Sequence, residues 1–355
     1  MKTALAAVGI PFVAGEKKDG GKVARPSFFL YNKRKAKAEP VRSGKGEGHR
    51  RRESGYMEAV TLKAADGYKL SLSVFAAEHA KGYVQIIHGM EEHKERYDDF
   101  AQRLCEAGYT VVSSDMRGHG MNAPLLGHFN DKNGYRDLLS DQKLISKYIR
   151  ERYKVEKVII FAHSMGTIIT RNLLQTESRG YEKAVLCGYP YDPGRAATGA
   201  AIFLCNVTAA VRGPRYYSKF IHSLGTGGFN KTIKNPKTDL DWLSYDEENI
   251  KKYKADKYCG HGFTVSANRD LFMLVRHMSQ TGSYRSVNSE LPIFMIRGED
   301  DPATGFEKGA AQSIHVLRQA GFQKIRVKTY PRMRHEILNE SGRDMVIADI
   351  VKFLG

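Results

Sequence analysis

Two hydrophobic periods alternate along most of this chain. Met57 to Leu62 and Tyr68 to Phe75 alternate apolar with polar positions on either side of Ala65-Asp66-Gly67, which reads as two strands joined by a tight turn. Tyr83 to Ile87, apolar except at Gln85, is a third strand that ends at His88-Gly89. Tyr97, Phe100, Ala101, Leu104 and Ala107 then recur at helical spacing up to Gly108, and Tyr109 to Ser113 reads as a buried strand. The alternation continues with a helix over Tyr135 to Tyr153, a strand over Lys157 to Phe161, a helix over Thr167 to Gln175 and a strand over Lys183 to Cys187. Farther on, Pro292 to Ile296 and Ile325 to Tyr330 are strands, followed by helices over Gly309 to Ala320 and Gly342 to Phe353. Strands apolar throughout, interleaved with amphipathic helices, predict the α/β class, a mostly parallel central sheet with helices on both faces.

Two segments break this rhythm. Residues 1–54 show no apolar periodicity, and Lys33-Arg34-Lys35-Ala36-Lys37 and Arg50-Arg51-Arg52 are runs that a packed element could not bury, so a disordered basic tail is expected. Between Tyr189 and Leu291 lie roughly 100 residues rich in Tyr, Phe, Gly and Lys, whereas ordinary connections rarely exceed about 15. An inserted, largely helical cap is the expectation. The division is therefore a tail over 1–54, a first part of the core over 55–189, a cap over 190–290 and a second part of the core over 291–355.

Charge and composition narrow the function. The 355 residues are 41% hydrophobic and carry a net charge of +17. Residues 1–55 hold 14 basic and 5 acidic side chains, more than half of that surplus, so the body is only mildly basic. A nucleic-acid partner is not expected, because the charge is not concentrated on a folded face among stacking aromatics. The basic tail does allow peripheral contact with an anionic membrane surface. Thr3 to Gly15 and Ala196 to Val211, the longest uncharged runs, are too short and interrupted to span a bilayer. The first follows Lys2, but Pro11 lies within it and no clear A-x-A site follows, so secretion is not expected. Cys105, Cys187, Cys205 and Cys259 show no paired spacing, which fits reduced thiols and a cytoplasmic location better than disulfides or zinc.

The chemistry begins at Ala162-His163-Ser164-Met165-Gly166, between a predicted strand and a predicted helix. This resembles the G-x-S-x-G nucleophile elbow of α/β-hydrolases, in which small flanking residues let the backbone turn sharply and push the serine Oγ outward; Ala162 replaces the first glycine. A serine needs a histidine to take its proton and a carboxylate to hold that histidine in the right tautomer. In such hydrolases both follow the serine, the acid after a late strand and the histidine after the last. Arg297-Gly298-Glu299-Asp300-Asp301-Pro302 and Pro331-Arg332-Met333-Arg334-His335-Glu336 fill those places. Asp301 is preferred over Asp300 and Glu299, since Pro302 restricts the preceding residue to extended backbone. His335 is the expected base. The oxyanion hole would use the N–H groups of Met165 and of Met90, the latter in the loop Ile87-His88-Gly89-Met90. His88 reads as a packed structural residue.

Three further motifs strengthen the resemblance. His88-Gly89-Met90-Glu91-Glu92-His93 with Arg96-Tyr97, Asp115-Met116-Arg117-Gly118-His119-Gly120, and Arg334-His335-Glu336 resemble the oxyanion, D-x-R-G-H-G and histidine loops of the bacterial lysophospholipase and monoacylglycerol lipase branch of the α/β-hydrolase superfamily. Asp241 to Asp246 and Cys259 to Thr264 are similar to segments of its lids, although Tyr245 stands where arginine is more usual and Lys257-Tyr258 where Asp-Pro is usual. The match extends over roughly residues 56–355.

The resemblance implies a serine hydrolase acting on a small-molecule acyl ester, a lysophospholipid or monoacylglycerol, through an acyl-enzyme. No cofactor is required, and no metal is expected because no H-E-x-x-H or similar cluster appears. Arg117 and His119 read as loop-shaping residues rather than catalysts. Phe203, Tyr216, Tyr217, Phe220, Phe229, Trp242 and Phe263 are candidates for an acyl pocket. Two alternatives on this fold are a non-catalytic binding protein and an aminopeptidase, which would need cap carboxylates for the substrate ammonium. Asp246, Glu247 and Glu248 instead read as charge complementing a helix start. An epoxide hydrolase or dehalogenase would carry Asp where Ser164 stands.

Overall fold

The computed structural model describes residues 57–355, so the expectation for residues 1–54 lies outside the described residues. Among the described residues eight strands form one sheet. β1 (Met57–Lys63) and β2 (Lys69–Phe75) make the antiparallel hairpin, and β3 (Gly82–Ile87), β4 (Tyr109–Ser114), β5 (Val158–His163), β6 (Tyr181–Cys187), β7 (Ile293–Gly298) and β8 (Ile325–Tyr330) follow. The spatial order is β1-β2-β4-β3-β5-β6-β7-β8, with β2 antiparallel to β4 and the later pairings parallel. Every residue of β4, β5 and β7 is buried, whereas β1 and β8, at the sheet edges, keep exposed positions. That is why the central runs are mostly apolar and the edge runs alternate.

Helices cover both faces. α1 (Asp98–Glu106), α2 (Gly134–Tyr153) and α3 (Met165–Glu177) lie in the first part of the chain. The helix after β5 begins at Met165 rather than at Thr167, because Ser164 turns directly into it and its carbonyl accepts the Thr167 N–H at 2.8 Å. Between β6 and β7 come α4 (Arg195–Arg212), α5 (Lys219–Gly225), α6 (Glu247–Ala255) and α7 (Val265–Met278), and α8 (Phe306–Gln319) and α9 (Arg343–Leu354) follow β7 and β8. One core joins Leu138 of α2, Ile169 of α3, Leu274 of α7 and Leu317 of α8; the other joins Leu104 of α1 and Ile350 of α9. α7 is thus part of the main core, and Asn172 Nδ2 of α3 donates to the Leu274 carbonyl at 3.0 Å.

The uncharged run Ala196 to Val211 lies within α4. Its Ala201 and Cys205 face inward while Phe203, Val207 and Val211 are exposed, a helical stripe rather than a spanning segment. No described helix is long and apolar enough to cross a membrane.

Because β3 lies between β4 and β5, the chain leaves it first in one direction and then in the other, opening a crevice at the carboxyl ends of these strands. The loops after β3, β5, β7 and β8 meet there. The loop after β4 supports this arrangement from below. Arg117 donates to Asp141 of α2 from Nε at 2.5 Å and Nη2 at 3.0 Å, and to Asp66 of the hairpin turn from Nη1 at 2.6 Å. Burial pushes the Asp141 carboxyl up to about 6 although Arg117 opposes it. Replacing Arg117 by Met would leave that buried carboxylate unpaired, and a loss of about 3 kcal/mol is expected in urea unfolding. A loss below about 1 kcal/mol would show that Asp141 finds compensation elsewhere.

Candidate active site

Ser164 sits on a strained turn, with φ 50° and ψ −120°. Its N–H donates to the Cys187 carbonyl at 3.0 Å, which ties the elbow to β6. Gly166 makes the turn possible, since a Cβ there would lie 2.2 Å from the Ile87 carbonyl oxygen. Ala162, buried in β5, accommodates its extra methyl.

The structure brings His335 and Asp301 to this serine. His335 Nε2 lies 2.7 Å from Ser164 Oγ, and its Nδ1 lies 3.0 Å and 3.1 Å from the two Asp301 carboxylate oxygens. With Nδ1–H donated to Asp301, Nε2 is the acceptor for the serine proton. Asp301 is fully buried and held by the Ala303 N–H at 2.9 Å. Asp300 turns toward the cap instead, where Tyr245 Oη donates to it at 2.9 Å, and Glu299 is exposed.

Met165 opens α3, so its N–H belongs to the first turn and has no intrahelical acceptor. Met90 follows Gly89, where a Cβ would stand 3.1 Å from Ser164 Cβ and 2.6 Å from Glu92 Oε1. Only glycine lets this loop approach the elbow so closely. His88 is fully buried; its Nε2 accepts the Met116 N–H at 3.0 Å and its Nδ1 donates to the Gly89 carbonyl at 2.7 Å. Burial lowers its pKa, which keeps this neutral, structural tautomer. His119 is likewise buried, with Nδ1 on the Arg117 carbonyl at 2.8 Å.

Behind the site lies a network that no single motif announces. The Glu92 carboxylate accepts from the Gly89 N–H, from Tyr97 Oη at 2.8 Å, from Arg96 Nη1 at 2.6 Å and from His163 Nδ1 at 3.2 Å. Arg96 also makes a two-pronged pair with Glu336 at 2.7 Å on each oxygen, and Asn249 of α6 donates to Glu336 at 2.7 Å. Burial would raise the Glu92 and Glu336 carboxyls, but Arg96, aided by His163 at Glu92 and Asn249 at Glu336, holds both below the usual range. Burial opposes charge on His163 too, yet Glu92 raises its pKa. The sequence offered these residues only as parts of motif loops, because 240 positions separate Arg96 from Glu336.

A second cluster joins the oxyanion loop to the cap. His93 meets Glu95 through Nδ1 and Asp256 through Nε2, each at 2.7 Å. Burial opposes protonation, but hydrogen bonds to Cys259, Glu95 and Asp256 outweigh it and raise the imidazole to about 11. His93, Asp256 and Cys259 offer ligand atoms within 4.8 Å of one another, the one group among the described residues with spacing for a metal ion. An ion there would have to displace the imidazole proton that the two carboxylates already balance.

The cavity above Ser164 has a volume of about 310 Å³. Its walls are the oxyanion loop, His163, His335 and cap residues from His222 to Tyr253. Of the seven aromatic candidates only Trp242 lines it, its ring 5.0 Å from that of His335. Phe229 packs behind Trp242 at 4.9 Å, Phe263 fills the core beside Phe129, and Phe203, Tyr216, Tyr217 and Phe220 are exposed. Sequence spacing could not separate them, since an exposed and a pocket-facing aromatic look alike.

A mostly parallel sheet with Ser164, Asp301 and His335 carried in that order beyond β5, β7 and β8 has the α/β-hydrolase fold. Residues 78–342 match the family described as Serine aminopeptidase, S33, and the chain belongs to that family. A monoacylglycerol lipase of Mycolicibacterium smegmatis is 26% identical over 278 residues, covering 77% of this chain and 88% of that protein. Among solved structures, a thermostable carboxyl esterase from Bacillus coagulans superposes with a TM-score of 0.77 at 24% identity, over 84% of this chain and 97% of that one. A soluble variant of monoglyceride lipase from Saccharomyces cerevisiae gives 0.64 at 17% identity, over 85% and 97%. The chain is thus a member of this hydrolase family with the α/β-hydrolase fold, similar in sequence to a monoacylglycerol lipase.

The raised His93 pKa has a consequence for stability. A histidine with an ordinary value of 6.5 unfolded and about 11 folded contributes stability fully below 6.5 and loses it as pH rises through 11. Between pH 7 and pH 10 the Tm of the wild type should fall more steeply than that of His93→Gln. Parallel slopes would show that the imidazole does not carry the charge.

Proposed function

We propose that this protein is a serine hydrolase that cleaves carboxylic esters of single-chain acyl lipids through an acyl-enzyme. The observation that carries the reading is the contact of Ser164 Oγ with His335 Nε2 at 2.7 Å, backed by Asp301 and open to the cavity. Ser164 Oγ attacks the ester carbonyl carbon while His335 Nε2 takes its proton, and Asp301 stabilises the imidazolium. The N–H groups of Met90 and Met165 hold the oxyanion. When the tetrahedral intermediate collapses, the C–O bond to the alcohol breaks and the His335 proton passes to the departing oxygen. Water then repeats the cycle, giving its proton to His335 and releasing the fatty acid as Ser164 recovers its own.

The names of the relatives support monoacylglycerol over lysophospholipid. The cap carboxylates weighed for an aminopeptidase are otherwise engaged: Asp246 caps α6 through the Glu248 and Asn249 N–H groups, Glu247 pairs with Lys237, and Glu248 pairs with Lys251. A cytoplasmic location is part of the proposal and rests on the cysteine spacing. Lipid-surface contact is also part of it, supported by exposed Phe203, Val207 and Val211 of α4 and Phe220 of α5. Changing Phe203 and Phe220 together to Ser should weaken sedimentation with anionic and zwitterionic vesicles alike, and unchanged binding would remove the cap from that role.

The central test is mutational. Ser164→Ala and His335→Ala should each lower kcat on p-nitrophenyl butyrate and monoacylglycerols by at least about a thousandfold in a folded protein. Asp301→Asn should also be severe, with Asp300→Asn mild. A crippling Asp300→Asn, or a Ser164→Ala that keeps its activity, would sink the assignment.

A further inference from the structure

The cavity in front of Ser164 contains a carboxylate that ester cleavage does not use. Glu91 follows Met90 and takes φ 56°, a left-handed conformation that a residue with a side chain adopts only when its surroundings hold it there. Two cap donors do so. Tyr253 Oη of α6 and the Gly260 N–H both reach the Glu91 carbonyl, at 2.9 Å and 3.0 Å. Glu91 lines the cavity with its side chain 9% exposed, and its Oε1, itself buried, accepts no hydrogen bond. His222 of α5 brings Nδ1 within 3.3 Å of it, but the two are not aligned for a hydrogen bond, and that Nδ1 has no other partner.

The remaining acids of the cavity wall are accounted for. Glu92 and Glu336 share Arg96, and Asp239 pairs with Lys254. Among the described residues no Lys or Arg lines the cavity. An acceptor buried without a donor is costly in the empty site and is relieved by a ligand that brings one. The same carboxylate repels an anion, and the described residues of the wall offer no Lys or Arg to offset the repulsion.

We propose that Glu91 is the specificity-determining residue of this site: it accepts a hydrogen bond from a hydroxyl or ammonium on the polar end of the substrate and turns away esters whose polar end is a phosphate. This deepens the ester-hydrolase reading and rests on it. His222, on the cap side, tempers the charge of Glu91 and narrows the space that the polar end enters.

The test compares four butyryl esters of matched acyl chain: ethyl butyrate, 1-butyrylglycerol, 2-dimethylaminoethyl butyrate and 1-butyrylglycerol 3-phosphate. The readout is kcat/KM for each relative to ethyl butyrate, a ratio that a general loss of activity does not move. In the wild type the phosphate ester should be the poorest substrate. In Glu91→Gln the relative rate of the amine ester should fall, and that of the phosphate ester rise, each by about tenfold, or about 1.4 kcal/mol. Glutamine keeps an acceptor, so a preference for the glycerol ester should survive in Glu91→Gln and disappear in Glu91→Ala; this pattern identifies hydroxyl recognition, and loss of the amine preference in both variants identifies ammonium. His222→Gln should deepen the discrimination against phosphate, and it keeps the test open if Glu91→Ala does not fold. Ratios unchanged in the Glu91 variants, or a wild type that takes the phosphate ester as readily as the glycerol ester, would overturn the inference. Turnover that survives Ser164→Ala would instead overturn the ester-hydrolase reading beneath it.

Discussion

The buried carboxylate of Glu92 is the contact on which the geometry of the site depends. Its two oxygens receive the backbone N–H of Gly89, the hydroxyl of Tyr97, the guanidinium of Arg96 and the ring of His163. These donors come from the loop after β3, from the turn that opens α1 and from the residue before Ser164. A carboxylate taken out of water is tolerable only when its lone pairs are met and its charge is balanced. Satisfying Glu92 therefore brings the loop after β3 against the turn at Ser164, at the distance that Gly89 alone permits. Arg96 extends the constraint to Glu336, the neighbour of His335, so one guanidinium sets the spacing between the loops after β3 and β8.

Strain at the elbow is held by the same logic. Ser164 keeps an unfavourable backbone conformation because its N–H is bonded to β6, its carbonyl starts α3, and Gly166 lets the helix press against the end of β3. None of these contacts touches a substrate. They hold Oγ within reach of His335, and the buried Asp301 fixes which ring nitrogen carries the proton.

What the sequence made legible follows from how local each signal is. The strands were readable because burial on both faces removes polar residues from them, and Ser164 because its turn requires small neighbours within two positions. Asp301, Asp300 and Glu299 are adjacent, and Pro302 separated them through a backbone restriction; in the structure Tyr245 draws Asp300 out to the cap while Asp301 turns in to His335. Glu92, Arg96 and Glu336 were legible only as pieces of motifs, since charged residues in loops ordinarily read as solvated surface. The cap aromatics were not legible at all. Phe203 and Phe220 are as apolar as Trp242, and only the path of α4 and α5 leaves them outside while Trp242 covers His335.

The cap is tied to the core through the loops that carry the site. Asn249 bonds to Glu336, Tyr253 to the Glu91 carbonyl, and Asp256 to His93, all from α6 or the residue that ends it. Arg334, just before His335, reaches the carbonyls of Asp241 and Ser244 at 2.6 Å and 3.2 Å. Contacts that hold α6 are therefore also contacts that hold the loops after β3 and β8. Displacing α6 would break hydrogen bonds that also position the loops after β3 and β8.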